Sequence, residues 1–274
     1  MKINDVTELE KIANEIRVGI IEEVYAGKSG HPGGSLSCVE ILTVLYFNQM
    51  NINPENPTAP SRDRFVLSKG HASPALYSTL AARGYFDKKE LLTFRGIDSV
   101  LQGHPDMKHI KGVDMSTGSL GQGLSSANGM AMSSKLNSDG FRVYCLLGDG
   151  EIEEGQIWEA AMSASHYKLD NLCVIVDNNN LQIDGAITDV MSSYPINLKF
   201  ESFGFNVINV DGHNITELIE AFDKAKTVKG RPTAIIAKTI KGKGVSFMEN
   251  QVGWHGKAPN EEQYHQAMKE LGGK

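Results

Sequence analysis

The sequence of 274 residues has few of the features that mark secreted, membrane-embedded or nucleic-acid-binding proteins. Its three cysteines are odd in number and lack metal-ligand spacing, which argues against a disulfide framework and a zinc site. No apolar run approaches the ~20 residues that cross a membrane. The acidic residues Asp5, Glu8 and Glu10 are unlike a secretory signal, and the net charge of −6 argues against general nucleic-acid binding. We therefore expect a soluble cytoplasmic protein with buried, reduced thiols and no membrane or nucleic-acid partner.

Short apolar segments alternate with segments of helical periodicity along the chain. Residues 142–147 and 172–177 predict buried strands, and residues 153–168 between them predict a helix. Strand, helix and strand in this order imply a right-handed parallel crossover. Further strands are predicted at Arg64–Leu67, 205–210 and 233–239. We predict an α/β fold in which one domain, residues 1–274, is doubly wound around a parallel sheet flanked by helices.

Polar residues mark where several helices begin. Ser37 with Glu40 predicts a capping box ahead of a helix over residues 38–50. Asn214 and Asn260 are predicted N-caps of two later helices, the second of which is the last in the chain.

An aspartate and an asparagine directly follow two of the predicted strands. Asp149 lies between two glycines after the first strand of the crossover, and Asn179 follows the second. The carboxyl ends of parallel strands meet at one edge of the sheet, where ligands of open α/β folds bind. Mg²⁺ prefers carboxylate and amide oxygens and often bridges them to phosphates. Glycine, aspartate and asparagine also favour ordinary turns, but the spaced pair predicts a site for a hard cation and a diphosphate.

Two other segments bear on phosphate binding. Residues 117–123 form a glycine-rich turn before a predicted helix, whose N-terminus would carry about half a positive charge and suit a diphosphate. Residues 224–243 contain seven lysines and arginines. We interpret most of these basic residues as a solvated face, with phosphate binding as the alternative.

Taken together, five segments resemble the N-terminal part of transketolases. In chain order they are SGHPGG at 29–34, LSKGHA at 67–72, GHPD at 103–106, TGSLGQG at 117–123, and GDG at 148–150 followed by the asparagines at 178–179. The resemblance extends from about residue 10 to residues 254–256, and Ser119 stands where many full-length transketolases have proline. A complete transketolase continues with a pyrimidine-binding domain and a C-terminal domain. Because this chain closes at 271–273 after a capped helix, we expect the N-terminal, thiamine-diphosphate-binding subunit of a split transketolase.

The resemblance implies roles for particular residues. The catalytic residues would be His31, His71, His104 and His255. The cofactor-binding residues would be His71, Gly118, Ser119, Leu120, Gly148, Asp149, Gly150, Glu154, Asn179, Ile183 and His255. The metal ligands would be Asp149, Asn179 and the carbonyl of Leu181. The other four histidines are interpreted as structural hydrogen-bonding residues.

The resemblance also implies the reaction and the partner. A two-carbon ketol unit would pass from a ketose phosphate to an aldose phosphate, with thiamine diphosphate and Mg²⁺, or another divalent cation such as Ca²⁺ or Mn²⁺. Transketolases take the glutamate that activates the cofactor from the pyrimidine-binding domain, so we expect a C-terminal partner subunit and an α2β2 assembly. Glu154 and Glu159 resemble acids of a carboxylate network at that interface.

Two alternatives remain at this point. The α subunit of a 2-oxoacid dehydrogenase shares the aspartate and asparagine signature, but the segments around His31, His71 and His104 argue against it. A non-catalytic scaffold homologue is disfavoured because Asp149, Asn179 and the histidines are intact.

Overall fold

The computed structural model describes residues 2–273 and contains a five-stranded sheet in which all paired strands are parallel. The strands are β1 (Arg64–Leu67), β2 (Val143–Gly148), β3 (Leu172–Asn178), β4 (Asn206–Asp211) and β5 (Thr233–Lys238). Their order across the sheet is β1-β2-β3-β5-β4. The predicted parallel α/β fold is therefore confirmed, and each predicted strand is present to within one or two residues.

Helices cover both faces of this sheet. They are α1 (Val6–Ala26), α2 (Pro32–Leu36), α3 (Val39–Val44), α4 (Ser73–Arg83), α5 (Gln122–Asn137), α6 (Gly155–His166), α7 (Ile187–Val190), α8 (Ile196–Ser202), α9 (Ile215–Thr227) and α10 (Glu261–Glu270). No described helix combines the length and apolarity needed to cross a membrane.

The core consists of two apolar layers, one on each face of the sheet. Side chains alternate along a strand, so Tyr144 and Leu146 of β2 join the layer that packs against α1, α3, α4 and α9. Cys145 and Leu147 join the opposite layer, against α5, α6 and α8. All three cysteines are free and buried, as predicted.

One predicted helix start was wrong. The Ser37 hydroxyl donates to the Gly34 carbonyl and to the Asp177 carboxylate, while Glu40 pairs with Arg17 and His213, so these residues form no capping box. The single predicted helix over 38–50 is instead α3 followed by a π-helical turn, Leu45–Gln49. The local cap is absent because Ser37 and Glu40, which would cap the helix, instead bind charged residues that are distant in the sequence.

The two later caps are confirmed. The Asn214 side chain accepts a hydrogen bond from the backbone of Glu217 at the start of α9. Asn260 and Gln263 form a complete capping box at the start of α10. Both pairs are local in sequence, which is why the sequence alone predicts them.

Replacing Leu218 of α9 with alanine tests the packing of the first layer. Leu218 is fully buried, whereas Leu136 of α5 is 83% exposed, so Leu136→Ala is a matched control. We expect Leu218→Ala to lower the free energy of unfolding by about 2–5 kcal/mol, because it removes buried methyl groups and leaves a cavity. Leu136→Ala should change it by less than about 0.5 kcal/mol. Denaturant unfolding curves measure both, and equal losses would contradict this packing.

Candidate active site

A cavity of about 350 Å³ opens at the carboxyl ends of β2 and β3. This is the edge of an open parallel sheet where ligands bind, and the volume lies within the range of small-molecule pockets. The cavity is lined by thirteen of the predicted site residues: His31, His71, His104, Gly118, Leu120, Gly148, Asp149, Gly150, Glu154, Asn179, Leu181, Ile183 and His255. Ser119 is exposed and lies outside this lining.

Asp149 is a buried carboxylate held by backbone amides. Its Oδ1 accepts from the Gly150 N–H at 3.0 Å and its Oδ2 from the Asn180 N–H at 2.6 Å. Burial, together with the negative charge of Asp177, raises the pKa of Asp149 to about 7. A divalent cation beside Asp149 would stabilise its charged form against both effects, so the residue is suited to bind a metal ion.

Oxygen donors lie next to Asp149 on the neighbouring strand end. The Asn179 Oδ1 accepts from the Leu181 N–H at 3.1 Å, which fixes both residues in one short turn. Among the described residues, no group of three His, Cys, Asp or Glu side chains forms a metal site. One carboxylate, one amide oxygen and one carbonyl would suit a cation that also binds phosphate and water.

Asp177 is a fully buried carboxylate that organises this strand end. It accepts hydrogen bonds from Lys69, Ser37, Thr239 and the Asn179 side-chain amide. Burial is the largest single influence and opposes its ionisation, but the charge of Lys69 and the hydrogen bonds from Lys69, Ser37 and Thr239 together outweigh burial and lower the pKa of Asp177. Because the Asn179 amide nitrogen faces Asp177, the Asn179 side-chain oxygen is the atom that can accept a hydrogen bond or bind a metal ion. Neither Asp177 nor Lys69 was predicted as a site residue.

Three histidines form a cluster above this edge. The ring centroids of His31, His71 and His255 lie 5.2–5.4 Å apart. Burial is the main cause that lowers the pKa of His31 to about 4 and that of His255 to about 3, and it lowers the pKa of His71 as well. All three are therefore neutral at pH 7. The Nδ1 of His31 is buried without a hydrogen-bond partner among residues 2–273.

The fourth predicted histidine lies against the glycine-rich loop. A Cβ atom at Gly118 would come within 3.1 Å of the His104 ring, and the φ of Gly118 is +149°, so this position requires glycine. Burial, followed by the charge of Arg95, lowers the pKa of His104. The loop and the imidazole thus form one wall of the cavity.

Lys241 is a cavity residue that the sequence interpretation missed. Its Nζ lies 2.9 Å from the His255 Nδ1 and donates to the Leu181 carbonyl at 3.3 Å. The residue is only 2% exposed, so it is an exception among the basic residues of 224–243, most of which were predicted to form a solvated face; Lys238, for example, is exposed. Burial and the charge of Lys69 lower the pKa of Lys241 to about 8. Lys241 lies just beyond the end of β5, at the ligand-binding edge, and this position could have identified it as a site residue from the sequence.

A buried network holds the loop that carries this lysine. The His213 Nε2 accepts from the Ile240 N–H at 2.8 Å, and its Nδ1 lies 2.9 Å from Glu40. Arg17 pairs with Glu40 and donates to the Lys243 carbonyl at 3.1 Å. His213 is thus a structural histidine, as predicted.

Glu151 joins three loops around the cavity. It accepts hydrogen bonds from the Ser68 hydroxyl and from the backbone N–H groups of Gly121 and Gly148. This buried carboxylate was also missed, because two of its three partners, Ser68 and Gly121, come from distant parts of the chain. The predicted acids Glu154 and Glu159 are exposed, Glu154 at the cavity rim and Glu159 on α6.

Comparison with known proteins identifies the family. The family model described as "Transketolase, thiamine diphosphate binding domain" matches residues 9–274. The chain belongs to the transketolase family. It is 45% identical to a 6-deoxy-6-sulfo-D-fructose transketolase subunit of Clostridium sp. (strain MSTE9), over 96% of each chain. It is 42% identical to an apulose-4-phosphate transketolase subunit of Phocaeicola vulgatus, over 97% of this chain and 94% of that protein.

Full-length transketolases match the chain over part of their length. Human transketolase is 46% identical over 96% of this chain and 42% of its own length. The solved transketolase of Leishmania mexicana superposes with a TM-score of 0.92 at 33% identity, covering 97% of this chain and 41% of that chain. The chain thus spans about two fifths of these transketolases. The family match confirms the transketolase interpretation over a 2-oxoacid dehydrogenase α subunit, and it identifies a thiamine-diphosphate-binding domain.

The low pKa of His31 predicts how the stability of this transketolase domain depends on pH. His31 titrates at about 4 in the folded protein, against an ordinary value of 6.5. Between these values the unfolded chain binds more protons, so the contribution of His31 to stability falls as the pH falls from about 7 to 4.

His31→Gln should remove this contribution. As the pH falls from about 7 to 4, the free energy of unfolding of the wild type should therefore fall by more than that of His31→Gln. Denaturant unfolding at a series of pH values measures the difference, with His265→Gln on the exposed face of α10 as the control. A difference that stays constant with pH would refute the assignment of a buried, neutral His31.

Proposed function

We propose that this chain is the thiamine-diphosphate-binding subunit of a two-component transketolase, with residues 1–274 acting as a single diphosphate-binding domain. The observation that carries the proposal is the cluster of His31, His71 and His255 beside the edge formed by Asp149 and Asn179, all lining one cavity. Two relatives of matching length are named transketolase subunits, which supports a separate partner chain.

The cofactor and metal would bind at the strand edge. Asp149, Asn179 and the Leu181 carbonyl would hold Mg²⁺, or Ca²⁺ or Mn²⁺ in its place. The diphosphate would lie against Gly148, Gly150 and the Gly118–Leu120 backbone, with Ser119 contributing its main chain only. When bound, thiamine diphosphate supplies the electron sink for the two-carbon unit.

The histidines would bind the sugar substrate and transfer its protons. His31, His71, His104 and His255 are neutral imidazoles at pH 7 on the basis of their lowered pKa values, so each can both donate and accept a hydrogen bond. They would bind the hydroxyl and carbonyl oxygens of the substrate and move protons as carbon–carbon bonds break and form. We assign the terminal hydroxyl of the donor to His104.

A partner subunit would complete the site. Leu120 and Ile183 are 36% and 63% exposed at the cavity, and Glu154 is exposed beside them. Such an open apolar and acidic rim suits a second chain that excludes water and supplies the activating glutamate. We propose an α2β2 assembly of the two subunits, located in the cytoplasm.

The substrates would be anionic sugars. The two subunit relatives are named for a sulfonated ketose and for apulose 4-phosphate. We propose ketose and aldose phosphates as donor and acceptor, with the pentose phosphate pathway as the default metabolic setting.

Purification from the native host tests the two-component proposal. We expect a second subunit to co-elute and the complex to transfer a two-carbon unit from xylulose 5-phosphate to ribose 5-phosphate, or between related anionic sugars. The isolated chain should bind the cofactor weakly and transfer nothing, because it lacks the activating glutamate. Robust transfer by the isolated chain would contradict the proposal.

Replacing Asp149 with asparagine tests the metal site. The change removes the carboxylate charge while nearly preserving shape, so the complex should bind thiamine diphosphate in the presence of Mg²⁺ at least ~10-fold more weakly. Asp184→Asn, an exposed residue of the loop near the cavity, is the matched control and should leave the affinity unchanged. Calorimetric titration measures both. Unchanged affinity in Asp149→Asn would show that the cation binds elsewhere.

A further inference from the structure

A cavity of about 440 Å³ lies at the amino end of β1, on the opposite side of this strand from the candidate active site. Arg64, which lines the cavity, is the first residue of β1, whereas Lys69 of the candidate active site follows the last. The strand has four residues, so at about 3.3 Å per residue its ends lie ~13 Å apart. The cavity shares no lining residue with the histidine-lined cavity. A ligand here would therefore be separate from the proposed cofactor and sugar.

Positive charge dominates the lining of this basic cavity. Its charged residues are Arg62, Arg64, Lys108, Lys111 and a single carboxylate, Asp114. The chain as a whole carries a net charge of −6, so the cluster runs against the overall charge of the protein. A cavity whose walls carry one sign of charge raises the local concentration of ions of the opposite sign.

The single carboxylate of the lining is already engaged. Asp114 forms an ion pair with Arg62, and its Oδ2 accepts from the Phe65 N–H at 2.8 Å. Asp106, beside the cavity, pairs with His109. No carboxylate of residues 2–273 forms an ion pair with the other three cationic side chains of the lining. These three positive charges therefore lack a counterion in the described chain.

The guanidinium of Arg64 is held in place with donors to spare. Its Nη1 donates to the Arg62 carbonyl at 2.7 Å and to the Ala59 carbonyl at 3.5 Å, and its Nη2 donates to the Pro60 carbonyl at 3.3 Å. The guanidinium carbon lies 4.8 Å from the centre of the Phe141 ring. At most three of the five N–H donors of an arginine are thus used, which leaves two. Burial, followed by the charge of Arg62, lowers the pKa of Arg64, so its positive charge is poorly compensated.

Apolar side chains share the cavity with these charges. Pro57, Met107 and Met130 line it, and Met107 is 48% exposed. The volume of the cavity lies within the range of small-molecule sites, which combine apolar walls with a few polar groups. This lining suits a ligand that has both an organic part and an anionic group.

We propose that the basic cavity is a second ligand site, which binds a small organic anion through a phosphate or sulfate group. Arg64 would bind oxygens of this group with the remaining donors of its planar fork, and Lys108 and Lys111 would add their charges. The organic part would lie against Met107 and Met130. The inference goes beyond the proposed transketolase function and does not rest on it, because the two sites share no lining residue.

Nuclear magnetic resonance of methyl-labelled methionine tests this cavity specifically, because Met107 and Met130 line it and Met162 of α6 does not. The sample is the full chain with any subunit that co-purifies, saturated with thiamine diphosphate and Mg²⁺. Inorganic phosphate should shift the signals of Met107 and Met130 saturably and leave that of Met162 unchanged. Sodium chloride at equal ionic strength should shift none of them, because screening alone needs no site.

Two further titrations define the ligand. Phenyl phosphate should bind more tightly than inorganic phosphate, because its ring adds apolar contact with the two methionines. Inorganic sulfate, titrated in parallel with inorganic phosphate, identifies which of the two groups the cavity binds more tightly.

Charge-removing variants locate the anion. Lys108→Gln/Lys111→Gln should bind phosphate at least ~10-fold more weakly, because it removes two charge-assisted hydrogen bonds. Both lysines are exposed, so this variant should keep the unfolding temperature of the wild type. Lys89→Gln/Lys224→Gln removes the same charge from exposed lysines outside the cavity and should leave the affinity unchanged. Arg64→Lys keeps the charge but loses the planar fork, so it should also weaken binding.

Three results would overturn the inference. Shifts of the Met107 and Met130 signals that fail to saturate, or that chloride reproduces, would mean that the cavity holds no bound anion. Equal phosphate affinity in the wild type and in Lys108→Gln/Lys111→Gln would place the anion elsewhere. Phenyl phosphate that binds no more tightly than inorganic phosphate would exclude an organic ligand. None of these measurements depends on two-carbon transfer, so this inference and the proposed function can fail separately.

Discussion

The buried ion pair between Lys69 and Asp177 is the interaction on which the candidate site depends. Lys69 follows β1 and Asp177 lies at the end of β3, so the pair spans β2 and fixes the carboxyl edge of the sheet. Lys69 also donates to the Gly34 carbonyl, and Thr239 donates to Asp177 from the end of β5. A buried charge without its partner is strongly unfavourable. These segments are therefore held together, and Asn179 takes its orientation from the same carboxylate.

Charged groups of both signs lie buried at the site before any ligand binds. The two buried aspartates, Asp149 and Asp177, lie with two buried lysines, Lys69 and Lys241. The surrounding histidines are neutral at pH 7 because burial lowers their pKa values. In the proposed function, Asp149 would hold the metal ion, whose positive charge would offset the desolvation of this buried carboxylate.

How much the sequence predicts depends on the range of the interactions involved. The strands, the caps at Asn214 and Asn260, and the edge positions of Asp149 and Asn179 follow from local patterns, and the structure contains them. Lys241 and Glu151 were missed because their roles depend on residues far away in the chain. The failed cap at Ser37 has the same origin, since long-range hydrogen bonds and ion pairs replace the local ones. The five motifs predicted the family because, taken together, they contain residues from most parts of the site.

The central claim is that Asp149 and Asn179 form the metal and diphosphate edge of a site that a partner subunit completes. A crystal structure of the two-subunit complex with thiamine diphosphate and Mn²⁺ tests it most directly, because manganese is located by its anomalous scattering. The account predicts one manganese peak in contact with the Asp149 carboxylate, the Asn179 Oδ1 and the Leu181 carbonyl, with the diphosphate bound to the same ion. A manganese peak away from these three oxygens, or a cofactor bound outside the histidine-lined cavity, would contradict it.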